Sequence, residues 1–186
     1  MSTAAPTIVL VGLMGTGKTT VARLLAAHYG TDCLDTDRLV EQRAGRTVRE
    51  IFDTDGEEAF RDLESEVLGS CLRTPGGCVV AGAGGVVLRD SNRAALRAAS
   101  ADGSFVVWLS ARPDVLVERT TRGQHRPLLD DDRQGTLMRM AESRTPLYAE
   151  VADITVDVSE RSADSVAKLV IEAVDEAVRM GGDGNG

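Results

Sequence analysis

The sequence predicts an α/β fold: a parallel sheet sandwiched between two layers of helices. Three observations point to it. Short apolar runs alternate with longer stretches of helical periodicity, the runs show little internal polar alternation, and a glycine-rich octet joins the first run to the first helix. Thr7–Val11 is the first expected strand, and the helix that opens in the octet runs to about Tyr29, where Gly30 supplies a stop. Asp32–Leu34 follows as a strand, and Thr36–Ala44 and Val48–Phe52 as short helices punctuated by Gly45 and Gly56. Glu57–Arg73 is a longer helix ended by Thr74-Pro75-Gly76-Gly77, and Val79–Ala81 is the third strand. Ser91–Ala101 reads as a helix with Asp90 or Ser91 as N-cap, Phe105–Leu109 as the fourth strand and Pro113–Arg122 as a helix. Residues 122–133 are polar, charged and broken by Gly123 and Pro127, and the length of this connection predicts a lid able to close over a site. A solvated loop without a role is the alternative. Asp153–Val156 is the fifth strand, and Val166, Leu169, Val170, Ala173, Val174 and Ala177 recur at the spacing of a final helix that packs on the sheet. The tail, 181–186, is expected to be disordered, and with no repeat or linker to divide it the chain reads as one domain over 1–186.

Composition narrows the partners. There are 21 basic and 29 acidic residues, a net charge of −8 that opposes nucleic acid and anionic lipid. A small-molecule substrate is the expectation, and an anionic one needs locally placed arginines. No apolar run is fit for a membrane span, and Met1-Ser2-Thr3-Ala4-Ala5-Pro6 lacks the features of a signal peptide, so a cytoplasmic location is expected. Cys33, Cys71 and Cys78 share no metal-ligand spacing and read as reduced, mostly buried thiols.

The octet Gly12-Leu13-Met14-Gly15-Thr16-Gly17-Lys18-Thr19 has the order of a phosphate-binding loop. Its glycines let backbone N–H groups at Gly15, Thr16 and Gly17 turn toward phosphate oxygens, and the helix that follows presents its positive end to the same anion. Lys18 adds a mobile cation for the β- and γ-phosphates, and the Thr19 hydroxyl can ligate the Mg²⁺ that accompanies ATP. Asp35 and Asp37 close the second strand, where ligands of a parallel sheet gather. They can divide the work, Asp35 toward the metal and Asp37 toward an acceptor hydroxyl. The alternative is a turn in which Thr36 or Asp37 caps the next helix. Ala83-Gly84-Gly85-Val86-Val87 permits a close backbone approach to a ligand at the end of the third strand. Arg61 can serve a substrate or pair with Glu57, Glu58 or Glu64 on its own helix. Arg126-Pro127-Leu128-Leu129 and Arg144-Thr145-Pro146-Leu147-Tyr148 each place an arginine near a proline. His125 reads as an exposed lid histidine and His28 as structural.

Taken together and in this order, the octet, Leu34-Asp35-Thr36-Asp37, Gly56-Glu57-Glu58-Ala59-Phe60-Arg61 and the two arginine clusters resemble the shikimate kinase family across nearly the whole chain. The resemblance implies a three-layer P-loop kinase with a five-stranded parallel sheet in the order 2-3-1-4-5 and a mobile lid. It implies transfer of the γ-phosphate of MgATP to the 3-hydroxyl of shikimate, in aromatic amino-acid biosynthesis. By the same resemblance Lys18 and Thr19 are the phosphate and magnesium ligands, Asp35 lies near the metal and Asp37 holds the reacting hydroxyl and receives its proton. Arg61 and Arg144 grip the shikimate carboxylate, Gly84 and Gly85 contact the ring hydroxyls, Arg126 reaches the transferring phosphate and Arg119 stacks on adenine. Thr20 and Arg161 complete the expected nucleotide contacts, and a monomer without nucleic-acid or membrane partners is expected. One departure is visible: Ala83 stands where the family has the first of three glycines, or in the middle of the set if the register centres on Gly82. Two rival readings are another small-molecule P-loop kinase, such as a gluconate kinase, and a nucleotide-binding protein without turnover.

Overall fold

The structure, a computed structural model, describes residues 5–121 and 132–182. Five strands form one parallel sheet: β1 (Ile8–Val11), β2 (Asp32–Asp35), β3 (Cys78–Ala81), β4 (Phe105–Ser110) and β5 (Ile154–Asp157). Their order is β2-β3-β1-β4-β5, the order that the resemblance implies. Every strand begins and ends within one residue of its expected place, because apolar runs bounded by glycine, aspartate and proline mark strands clearly.

The weak polar alternation has a direct structural cause. Ile8 and Leu10 face one buried cluster with Val79, Ala81, Val107 and Leu109, while Val9 and Val11 face another with Cys78, Val80 and Val106. On the first side lie α1 (Lys18–Tyr29) and α7 (Ala163–Gly182), which contribute Val21, Leu25, Val166, Val170 and Val174. On the second lie α2 (Thr36–Ala44), α3 (Val48–Leu72), α4 (Asp90–Ala101), α5 (Pro113–Thr121) and α6 (Arg133–Val151). Among the described residues no helix is long and apolar enough to cross a membrane.

Several expectations change. The helices expected at Val48–Phe52 and Glu57–Arg73 meet in α3, bent at Gly56, whose φ of 87° is open to glycine and strained for other residues. Thr47 and Glu50 close a reciprocal capping box at its start. Asp35, rather than Thr36 or Asp37, caps α2, its carboxylate accepting from the Arg38 N–H at 3.3 Å. Arg89 takes the N-cap position of α4, with Asp90 in the first turn. Cys71 and Cys78 are buried but Cys33 is exposed on the edge strand β2. α7 continues through Gly182 and so takes in the first two residues of the expected tail, and 183–186 lie outside the described residues.

The largest addition is α6, a helix of 19 residues with Pro146 in its interior. Proline removes an N–H from the ladder and normally argues against a helix. Here Leu137, Met140, Ala141, Tyr148 and Val151 recur at helical spacing and pack against the second cluster, so tertiary burial outweighs the local penalty. Of the expected lid, 122–133, only Asp132 and Arg133 lie within the described residues, at the start of α6.

Gly12 joins β1 to the phosphate loop with φ 142°, and a Cβ there would collide with the Leu109 carbonyl on β4. Gly12→Ala is therefore expected to lower the unfolding free energy by about 1–3 kcal/mol from backbone strain, with the overlap adding to it. Urea unfolding followed by circular dichroism measures this, and an unchanged midpoint would refute the strain.

Candidate active site

The carboxyl ends of β1, β3 and β2 open into a cleft of about 320 Å³. Its floor is the phosphate loop. The Thr16 hydroxyl is buried and donates to the Leu13 carbonyl at 2.8 Å, pinning the loop from within. Lys18 Nζ donates to the Gly12 and Leu13 carbonyls at 2.8 and 2.9 Å, so its ammonium rests on the loop it would serve. Gly15, Gly17, Lys18, Thr19 and Thr20 line the cleft, at the positive end of α1.

Across from the loop, β2 delivers the two aspartates. Thr19 Oγ1 donates to Asp35 Oδ2 at 2.9 Å, which joins the expected metal ligands through one hydrogen bond. Two hard oxygen donors side by side suit Mg²⁺, which completes its shell with water and phosphate oxygens. Asp37 follows in the first turn of α2 and lines the same cleft. Between them Thr36 is wholly buried: its hydroxyl accepts from the Ala83 N–H at 2.8 Å and approaches the Ala81 carbonyl at 3.4 Å. From the sequence Thr36 is expected only as a helix cap. Its hydroxyl instead ties the aspartate pair to the glycine turn that follows β3.

That turn separates the roles of its small residues. Gly82 continues alongside β1, donating to the Leu10 carbonyl at 2.9 Å. Ala83 has a negative φ, since no described residue other than glycine has a positive one. A Cβ on Gly85 would overlap the Arg61 guanidinium. The turn is therefore closest to the arginine at Gly85, while position 83 accommodates its methyl.

Two arginines converge here from different helices. Arg61, 8% exposed, donates from Nη1 to Glu64 at 2.9 Å and from Nη2 to Glu57 at 3.1 Å. The ion-pair reading of Arg61 is therefore present, and the pairs hold the guanidinium against the glycine turn. Burial pushes the Glu64 carboxyl above the usual range and Arg61 pulls against that rise. Glu64 Oε1 is buried without a hydrogen-bond partner among the described residues. Arg144 on α6 donates from Nη1 to the Gly84 carbonyl at 3.1 Å, and Tyr148, one turn later, donates its hydroxyl to the same carbonyl at 2.5 Å. Burial pushes the Tyr148 hydroxyl up to about 12, against the pull of Arg144, so it is a donor at any working pH. Tyr148 has no role assigned from the sequence, although its spacing of four residues from Arg144 places both on one helix face.

On the opposite side of the loop, Arg119 donates from Nη2 to the Val158 and Ser159 carbonyls at 2.8 and 3.2 Å. An edge-bonded guanidinium keeps its flat face available for stacking. Arg161 donates to the Asp157 carbonyl at 3.1 Å, and both arginines line a smaller pocket with Gly15, Gly17 and Thr20. Arg126 and His125 lie outside the described residues.

The chain is similar to known proteins in sequence and in fold. A family model described as shikimate kinase matches residues 14–175. The chain is 46% identical over 178 residues to a shikimate kinase of Symbiobacterium thermophilum, covering 94% of this chain and 99% of that relative. A solved shikimate kinase from Acinetobacter baumannii, in complex with shikimate, is similar with a TM-score of 0.85 at 34% identity, over 92% of this chain and 94% of that one. A gluconokinase from Sinorhizobium meliloti matches with a TM-score of 0.61 at 17% identity, over 98% of this chain and 99% of that one, which is a likeness of fold alone. The gluconate kinase reading is therefore not favoured. With a family model spanning most of its length and a near full-length relative of this similarity, the chain belongs to the shikimate kinase family.

Proposed function

We propose that this chain transfers the γ-phosphate of MgATP to the 3-hydroxyl of shikimate, giving shikimate 3-phosphate and ADP for aromatic amino-acid biosynthesis. The carrying observation is the meeting of two chemistries at one turn: the phosphate loop and aspartate pair on one side, Arg61 and Arg144 on the other. ATP phosphates take the N–H groups of Gly15, Thr16 and Gly17 and the start of α1, with Thr20, Arg119 and Arg161 toward the nucleoside. Lys18 exchanges the loop carbonyls for phosphate oxygens. Thr19 and Asp35 would hold Mg²⁺, which would supply charge neutralisation on the phosphates. Asp37 orients the acceptor hydroxyl and receives its proton, and a weak base suffices because the proton leaves late in a loose transition state.

The shikimate carboxylate competes for Arg61 Nη2 with Glu57, whose side chain is 64% exposed and returns readily to water. Glu64, only 1% exposed, stays and keeps the guanidinium in place. Arg144 turns from the Gly84 carbonyl to complete the clamp, beside the backbone of Gly84 and Gly85. The role of Arg126 at the transferring phosphate is proposed on the sequence resemblance, and the lid at 122–133 on the length and polarity of that segment. The net charge of −8 supports a small-molecule partner rather than nucleic acid or membrane; a cytoplasmic monomer is proposed with it.

An ATP-consumption assay across shikimate, quinate, gluconate and no acceptor tests the reading. ADP release is expected to depend on shikimate and Mg²⁺, and equal turnover with gluconate would refute it. Asp37→Asn is expected to lower kcat far more than it weakens ATP binding, and near-normal kcat would remove Asp37 as base. Arg61→Ala and Arg144→Ala are each expected to remove about 2–5 kcal/mol of shikimate transition-state binding with ATP affinity little changed. Calorimetry separates the two ligands, and unaltered shikimate binding in Arg61→Ala would return that residue to a purely structural pair. Because Ala83 has a negative φ, Ala83→Gly is expected to change kcat/KM for shikimate by less than about threefold, and a tenfold gain would show that the methyl obstructs the substrate.

A further inference from the structure

We infer that Tyr148 is a positioning residue, whose buried hydroxyl locks the Gly84–Gly85 peptide so that the turn keeps its shape when Arg144 leaves it for the substrate. The carbonyls of Ala83, Gly84 and Gly85 each have a partner, and the partners differ in kind. The Ala83 carbonyl accepts from the Val86 N–H at 3.1 Å and the Gly85 carbonyl from the Leu88 N–H at 2.9 Å, both bonds within the turn itself. The Gly84 carbonyl between them is held by side chains, Arg144 and Tyr148, both from α6.

This matters because a peptide flanked by two glycines meets the least steric resistance to rotation. A planar trans peptide points its N–H opposite its carbonyl, so fixing the Gly84 carbonyl toward α6 fixes the Gly85 N–H away from α6. Among the described residues, no acceptor is found for the Gly84 or Gly85 N–H, and Gly84 lines the cleft. On the proposed reading, the carboxylate draws Arg144 off the carbonyl, and Tyr148 alone then prevents a flip. Tyr148 is well placed to do so, being 1% exposed, stacked at 5.9 Å on Trp108 of β4, and anchored on the rigid stripe of α6 that packs into the core. The hydroxyl thus prepays the ordering of the turn before substrate arrives.

The inference rests on the proposed shikimate reading for its kinetic arm and is independent of it for its spectroscopic arm. In Tyr148→Phe, KM for shikimate is expected to rise about tenfold while kcat and KM for ATP stay within about twofold, a split that general loss of packing would not produce. In protein labelled with ¹⁵N-glycine, the Gly85 amide is expected to give one sharp signal in the parent and a broadened or doubled one in Tyr148→Phe. Replacing Tyr148 by 4-aminophenylalanine, which keeps a donor at the same place, restores both. Unchanged KM together with an unchanged Gly85 signal in folded Tyr148→Phe overturns the inference. If the parent shows no shikimate-dependent turnover, the functional reading fails and the amide signal alone decides on Tyr148. Should Tyr148→Phe not fold, the 4-aminophenylalanine protein carries the test, and a tenfold rise in KM for shikimate or a doubled Gly85 signal there overturns the inference.

Discussion

The parallel pairing of β1 with β3 is the constraint on which the site depends. Leu10 lies opposite Ala81, and the Gly82 N–H extends the ladder to the Leu10 carbonyl, so the phosphate loop and the glycine turn leave the sheet at the same level. β2 pairs with β3 in the register that sets Asp35 opposite Ala81, which brings the aspartates to that level too. Register in most sheets follows from a polar and an apolar face. Here both faces of β1 are apolar, and a slip of one residue would keep every side chain buried. The glycines supply what alternation cannot. A Cβ on Gly12 would strike the Leu109 carbonyl and one on Gly82 would sit 3.1 Å from the Leu10 carbonyl, so these close approaches exist only in the observed alignment.

Charge follows the same economy of place. A chain of net charge −8 repels anions at long range, and its site answers with arginines fixed at short range. Burying Arg61 and Glu64 together requires stripping both of water, a penalty of several kcal/mol per ion that their contact offsets in part. Stability alone is a weak reason for such a pair. Its value lies in direction: Arg61 Nη1 is held by a carboxylate that cannot leave, and the guanidinium stays against Gly85. Removing Glu64 alone would leave a buried cation without its partner, the costly half of such a pair.

Strands and the phosphate loop were legible in the sequence because each depends on neighbours close along the chain. α6 was not, since Pro146 is a strong local signal against a helix while the stripe Leu137, Met140, Ala141, Tyr148 and Val151 acts only through the core it meets. The same limit hid Thr36, whose partner Ala83 is 47 residues away, and Tyr148, whose partner Gly84 is 64 residues away. Caps were misplaced by one or two residues, as at Asp35 and Arg89, because several adjacent residues have the chemistry to cap and tertiary contacts choose among them. Arg89 shows the choice: it starts α4 without a side-chain cap while its guanidinium reaches Glu58 and Asp62 on α3. For Arg61 the sequence offered an ion pair or a substrate contact as alternatives; the ion pairs with Glu64 and Glu57 are present, and on the proposed function they orient the guanidinium for the second.

The arginines are satisfied before any substrate arrives, and this decides how the proposed site discriminates. Arg61 has Glu64 and Glu57, and Arg144 has the Gly84 carbonyl, so an acceptor without a carboxylate leaves no buried cation unpaired. Such an acceptor is not punished. It simply fails to gain the paired, charge-assisted hydrogen bonds that a carboxylate makes when it displaces the exposed Glu57 and the neutral carbonyl. Selection by reward requires that the displaced groups have other homes. Glu57 finds one in water and the Gly84 carbonyl keeps Tyr148, so on the proposed function a tyrosine hydroxyl far along the chain belongs to the substrate side of the site.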